Sequence, residues 1–134
     1  MIDIHRHIHS VANLGSITPQ NIGGALAVSL HKEKETAYTE FFRGGPSGVF
    51  EHVVLKISRI KLSWLVSWDS SPELAPLEHQ LDLSRYGRFV NMEINPRIPP
   101  EGTVSYIYDY MGFKLFIEFT NSSRRLRGVA LHKD

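Results

Sequence analysis

The sequence predicts an all-β fold, either an antiparallel β-sandwich with a jelly-roll-like topology or a barrel, with about eight strands and little helix. Three observations support this prediction. Apolar and polar residues alternate in several short segments, Gly, Pro, Asn and Ser recur between those segments, and no segment has the apolar spacing of a long helix. The 134 residues are expected to form one domain, residues 1–134, of which residues 1–24 are compatible with a flexible N-terminal arm.

The most strongly patterned stretch runs from Val53 to Trp68 and alternates in two phases. Apolar positions are odd-numbered up to Ile57 and even-numbered from Ile60 onward. A single unbroken strand would therefore send half of these side chains into water. We predict two strands, over residues 52–58 and 59–68, joined by a bulge or by a corner between sheets. The positions expected to face inward on the second strand are Ile60, Leu62, Trp64, Val66 and Trp68.

The N-terminal third has a less uniform pattern. Residues 1–10 alternate, with Ile2, Ile4 and Ile8 on one side, which fits a terminal strand or a loose arm. Residues 25–31 alternate as well and predict a strand, whereas the charged residues 32–35 predict a solvated turn. Residues 36–42 fit either a helix or a strand, and the glycine-rich residues 43–48 predict a loop.

The C-terminal half contains two predicted hairpins. Residues 79–83 and 88–94 alternate on either side of a turn at Gly87, and residues 69–72 end the preceding strand at Pro72. Residues 103–108 and 113–120 form the clearest hairpin, and residues 126–132 predict a last strand.

Composition excludes several classes of site. The chain has no cysteine, which excludes a disulfide framework, a thiolate nucleophile and a thiolate metal site. Its net charge of +1 gives no general attraction for polyanions. No apolar run reaches the ~18 residues of a transmembrane span, and no apolar signal segment stands at the N-terminus. We therefore expect an intracellular, cytoplasmic protein.

The first candidate site is a histidine cluster near the N-terminus, with His5, His7 and His9 spaced two residues apart and Asp3 before them. On a strand these side chains would share one face, and imidazole and carboxylate groups together can bind a metal ion. The alternative interpretation is a solvated or interface cluster, because chain termini are often mobile.

The second candidate is an arginine cluster near the C-terminus. It comprises Arg124, Arg125 and Arg127, with Arg85 and Arg88 as further members if the fold brings them close. Guanidinium groups match phosphate geometry, so RNA or an anionic membrane surface is the partner this cluster would bind. The alternative is a turn whose charges prevent pairing between sheet edges.

The third candidate is aromatic. Tyr106, Tyr108, Tyr110 and Phe113 alternate along the predicted C-terminal hairpin, which is typical of core positions but also fits an interface. Phe116 differs, because it lies on the polar face between Lys114 and Glu118. An apolar residue in that position indicates a second contact layer or a subunit interface.

Catalytic motifs are weak. The loop 43–48 has neither a P-loop ending nor a G-x-S-x-G elbow, and the carboxylates are scattered. The sequence thus favours a non-enzymatic interaction or assembly protein that forms a homo-oligomer and needs no cofactor; a viral structural or accessory role fits this profile. The alternatives are an RNA- or membrane-binding module that uses the arginines and a metal-dependent enzyme that uses the histidines.

Overall fold

The computed structural model describes residues 3–70 and 72–134, so the predicted roles of Ile2 and Ser71 lie outside the described residues. Two short helices precede eight strands. They are α1 (Ile4–Ala12), α2 (Pro19–Leu26), β1 (His31–Glu35), β2 (Thr39–Gly44), β3 (Phe50–Ser58), β4 (Trp64–Ser70), β5 (Arg88–Asn95), β6 (Thr103–Tyr110), β7 (Phe113–Thr120) and β8 (Leu126–Lys133). In the described part of the chain, neither helix is long and apolar enough to cross a membrane.

All eight strands join one antiparallel sheet in the order β1-β2-β3-β4-β8-β7-β6-β5. The prediction of an all-β, sandwich- or barrel-like fold with about eight strands and little helix is thereby confirmed. Two four-strand meanders meet in the middle, where β4 pairs with β8. Strands β1 and β5 are the two edges of the sheet.

The two faces of the sheet have different environments. One face, here called the covered face, contributes Leu55, Val66, Ile117 and Leu131 to the core that also contains the apolar residues of α1 and α2. The side chains that alternate with these on the central strands point to the other side, here called the open face. Burial of the covered face supplies the main driving force for folding, because it removes the largest apolar area from water.

The first helix corrects the prediction of a strand over residues 1–10. Ile4, Ile8 and Val11 are spaced four and three residues apart, which places them on one side of a helix, and all three are buried. The Asp3 side chain caps the helix by accepting a hydrogen bond from the Arg6 amide, at 3.1 Å. The segment for which the sequence allowed a flexible arm therefore contributes a large part of the core.

The predicted strand over residues 25–31 is also wrong. Thr18 caps α2, Pro19 occupies its first turn, and the helix continues to Leu26 before Ala27 ends it in the left-handed conformation, with φ 57°. The apolar alternation that suggested a strand spans the end of this helix and the connection after it, where Val28 is buried.

Residues 31–35 form strand β1, so the predicted solvated turn is wrong, although every side chain of the strand is exposed as a charged segment should be. Cross-strand pairing with β2 explains the result. His31 lies opposite Arg43 and Glu35 opposite Glu40. The segment 36–42, which the sequence left open, becomes the turn into β2 and most of that strand.

The central stretch forms two strands, as predicted, but they are joined by a turn. Residues 59–63 lie between β3 and β4, and the Ser58 hydroxyl accepts hydrogen bonds from the amides of Ile60 and Lys61. Ile60 and Leu62 are 66% and 91% exposed, so the prediction that they face inward is wrong. Trp68 is buried on the covered face, as expected.

Residues 79–83 do not pair with residues 88–94, so that predicted hairpin is wrong. Short 3-10 turns occupy Glu78–Gln80 and Leu83–Arg85, and β5 pairs with β6 instead. Leu81 and Leu83 still pack against the core, which accounts for their apolar alternation. The hairpin of β6 and β7 and the last strand β8 are confirmed.

Candidate interaction surface on the open sheet face

Phe116 lies on the open face, midway along β7, which is the third strand from the β5 edge. It sits on β7 between Ile107 of β6 and Ala130 of β8, its direct cross-strand partners. Phe116 lines two depressions of the face, each with a volume of about 390 Å³. The sequence singled out this residue as an apolar side chain on a polar face, and the structure places it where two depressions of different character meet.

The first depression is largely apolar. Phe41 of β2 and Leu65 of β4 line it together with Phe116. The ammonium groups of Lys34 and Lys56 lie over the Phe41 ring, 4.7 Å and 5.7 Å from its centroid. Such cation–π contacts place two positive charges at the Phe41 ring.

The second depression is polar, and its charges are matched within it. The Nδ1 atom of His52 lies 3.2 Å from the Asp69 carboxylate, and an Arg127 guanidinium nitrogen lies 3.8 Å from the Glu118 carboxylate. At the border, Arg43 forms an ion pair of 3.0 Å with Glu33 of β1. Cationic and anionic groups are therefore interleaved across the surface.

Sequence reasoning missed Phe41, which lines the same depression as Phe116. A signal was present in the adjacent pair Phe41-Phe42. Successive side chains of a strand point to opposite faces, so one of the two must lie outside the core if the other lies inside. Phe42 is buried at 9% exposure, and Phe41 is on the open face.

The other predicted aromatic residues lie on the covered face. Tyr108 is buried, and the Tyr86 ring packs against Tyr108 and Tyr110 with centroid distances of 6.0 and 5.5 Å. Burial raises the pKa of the Tyr86 hydroxyl. Tyr106 and Phe113 are partly buried against the same core. The structure thus separates Phe116 from the four aromatic residues with which the sequence grouped it.

The predicted arginine cluster does not form one patch. Arg124 donates to the Tyr106 hydroxyl at 2.8 Å and to the Glu78 carboxylate at 3.2 Å. Arg125 donates to the carbonyl oxygen of Ala75 at 3.0 Å. Both guanidinium groups therefore attach the segment 72–80 to the β7–β8 connection, whereas Arg127 lies on the open face.

The two further arginines of the predicted cluster are also separate from it. Arg88, on the edge strand β5, donates to the Asp109 carboxylate at 2.7 Å. Hydrogen bonds from Lys114 and from Arg88 hold the pKa of Asp109 below its usual value. Arg85 is exposed; burial lowers the pKa of His5, and the charge of Arg85 lowers it further.

The three histidines of the predicted metal site do not come together on α1. Residues two apart on a helix point in nearly opposite directions, so His7 faces away from His5 and His9, which share a side but have different partners. His5 forms a hydrogen bond with the Tyr86 hydroxyl, His7 packs against Phe50, and His9 contacts Asn13. Among residues 3–70 and 72–134, no three His, Cys, Asp or Glu side chains are grouped to hold a metal ion.

No family model, no curated protein and no solved structure matches this chain.

Proposed function

We propose that this chain is a non-enzymatic interaction protein that binds a polypeptide partner across the open face, with Phe116 as the anchoring residue. The single observation that carries the proposal is the position of Phe116, an aromatic side chain on a polar sheet face that lines both of its depressions. Large aromatic side chains near the centre of a surface supply most of the energy of protein interfaces.

The surroundings of Phe116 support an interface. Leu65 and Phe41 provide apolar area in the depression that Phe116 also lines, and charged residues line the adjoining depression. An apolar centre within a polar rim is the usual composition of a non-obligate protein interface. Rim charges of both signs also restrict the orientation of a partner more than they increase its affinity.

The distribution of charge favours a polypeptide over RNA or an anionic membrane. Asp69 and Glu118 stand among the cations of the second depression, and each lies within 4 Å of a basic side chain. A polyanion would be repelled by these carboxylates and would have to displace existing ion pairs. A polypeptide with side chains of both charges can instead be accommodated by the paired groups.

The test is site-specific photo-crosslinking in cells that express the protein naturally. A photoreactive phenylalanine analogue replaces Phe116, and the same analogue at Leu62 serves as the control, because Leu62 is 91% exposed in the β3–β4 turn. We expect a discrete protein adduct that depends on position 116. Adducts with nucleic acid, or identical adducts from both positions, would contradict the proposal.

The partner identified in this way is then purified, and its affinity is measured for wild type and for Phe116→Ala. Truncation of a central aromatic anchor costs about 2 kcal/mol or more, so we expect binding to weaken by at least about 30-fold. Leu62→Ala serves as the control outside the face, because Leu62 lies in the exposed β3–β4 turn. A loss below threefold would show that Phe116 is not the anchor.

A further inference from the structure

Strand β5 is an edge with unusual composition. All eight of its residues are exposed, and four of them are large and apolar. Their exposed fractions are 52% for Phe89, 41% for Val90, 45% for Met92 and 54% for Ile94. The outer side of an edge strand also presents backbone N–H and C=O groups that can pair with another strand.

The opposite edge, β1, has the composition of a protected edge. Its five residues are exposed, and four of them are the alternating charges Lys32, Glu33, Lys34 and Glu35. Charges on an edge strand, especially lysines, prevent one sheet from adding to another. A register shift is present in both edge strands, so their charge distinguishes them. The chain therefore protects one edge of its sheet and leaves the other apolar.

We propose that β5 pairs antiparallel with β5 of a second copy of this chain about a two-fold axis, which joins the two sheets into one. An isologous contact of this kind closes on itself, so it produces a dimer and not a filament. Pairing of β5 would satisfy its outer backbone groups and cover its apolar side chains in one step. The charged β1 edge offers no equivalent surface.

The register with β6 shows which side chains of β5 share a face. Phe89, Met92 and Ile94 lie opposite Tyr108, Tyr106 and Val104, on the covered face. The alternate positions Arg88, Asn91, Glu93 and Asn95 lie on the open face, and the register shift leaves Val90 as the bulged residue. When two copies pair through β5, side chains that lie opposite each other must belong to the same face of the joined sheet.

A pairing whose two-fold axis passes at Met92 keeps the covered-face and open-face side chains on their own faces along the whole strand. Met92 then lies opposite Met92 of the second copy, and Phe89 lies opposite Ile94 across the bulge. On the open face Asn91 lies opposite Glu93, and Arg88 is diagonal to Glu93, so opposite charges are neighbours. A pairing centred on Glu93 would instead place two carboxylates face to face.

The inference does not rest on the proposed function, because β5 is the edge strand and Phe116 lies on β7, which β6 separates from β5. The pairing of a single eight-residue edge is at the small end of specific interfaces, for which about 800 Å² per partner is standard. We therefore expect a dimer that dissociates on dilution.

Sedimentation velocity over two orders of magnitude in concentration tests the proposal. Wild type is expected to pass from monomer to dimer. Met92→Lys brings two ammonium groups together at the two-fold axis and is expected to remain monomeric, whereas Met92→Leu is expected to dimerise. Phe116→Ala is expected to dimerise like wild type, which separates this contact from the open face. A monomeric wild type, or a Met92→Lys variant that dimerises normally, would overturn the proposal.

The absence of cysteine allows a second test. Met92→Cys is the sole thiol of its variant and faces its own copy, so mild oxidation is expected to give a disulfide-linked dimer. Glu33→Cys on the β1 edge is the matched control, expected to cross-link more slowly by at least tenfold. Equal rates at the two edges would contradict pairing through β5. Circular dichroism of each variant verifies that the fold is retained.

Discussion

The imidazole of His7 packs against the phenyl ring of Phe50, with ring centroids 4.9 Å apart. This contact joins α1 to β3 in the core, where His7 is 8% exposed. Its Nδ1 atom is buried and has no hydrogen-bond partner in the described part of the chain. Burial lowers the pKa of His7, the Arg6 charge lowers it further, and the Asp3 charge opposes both effects.

This arrangement predicts that the protein loses stability in mild acid. The pKa of His7 is lower in the folded protein than the ordinary value of 6.5. Below that pH the unfolded chain therefore binds more protons than the folded protein does. The free energy of unfolding should decrease on acidification, by at most about 1.4 kcal/mol per pH unit for this group. The lowered pKa of His5 acts in the same direction.

Urea unfolding at about pH 7.5 and about pH 5.5 measures the effect, since an unperturbed histidine titrates between these values. His7→Gln should reduce the difference in stability between the two conditions. His9→Gln is the matched control on the same helix, because His9 is exposed. Equal pH dependence in wild type and His7→Gln would refute the role assigned to His7.

A second prediction concerns Arg124, whose guanidinium connects Tyr106 to Glu78. Arg124→Met should destabilise the protein by about 1 kcal/mol, because it removes charged hydrogen bonds from groups that remain partly exposed to solvent. Chemical unfolding measures the change. Arg97→Met is the control, because Arg97 is exposed and takes part in its hydrogen bond through the main-chain amide.

Comparable stability of the Arg124→Met and Arg97→Met variants would contradict a structural role for Arg124. It would also restore Arg124 as a candidate for binding an anionic partner. Salt-dependent binding to an RNA oligomer or to anionic vesicles would then be the next measurement.

A third prediction contrasts two leucines of the central stretch. Leu55 is completely buried, and Leu62 is 91% exposed. Leu55→Ala should cost about 2–5 kcal/mol of stability, as expected for a large-to-small change in a core. Leu62→Ala should change stability by less than about 0.5 kcal/mol, because it creates no cavity. Thermal and urea unfolding of both variants provide the comparison, and a large loss from Leu62→Ala would place this residue in the core after all.

The parts of the fold that could be predicted depend on local pattern alone. The hairpin of β6 and β7 is an example, because Leu115, Ile117 and Phe119 alternate without interruption and all three are buried. Phe116 could be recognised for the same reason, since the alternation around it is strict enough to place it on the other face. Neither conclusion required knowledge of a distant residue.

The elements that were predicted wrongly have patterns with two interpretations. Ile4 and Ile8 fit both a strand with an apolar face and a helix with an apolar stripe, and Val11 alone favours the helix. The charges of residues 32–35 are typical of a solvated turn, and these residues form a strand because they pair with β2. Phe41 was not recognised as a residue of the open face, because its position there depends on Phe42 being in the core.

The sequence by itself determined the all-β class, most strand positions from β3 onward, and the polar-face location of Phe116, because alternation is a local property of the backbone. Tertiary structure alone decided which strands are edges, that the N-terminal helices cover one face, and that the predicted arginines and histidines are apart. These outcomes depend on contacts between residues far apart in the chain, whose free energy no local pattern records.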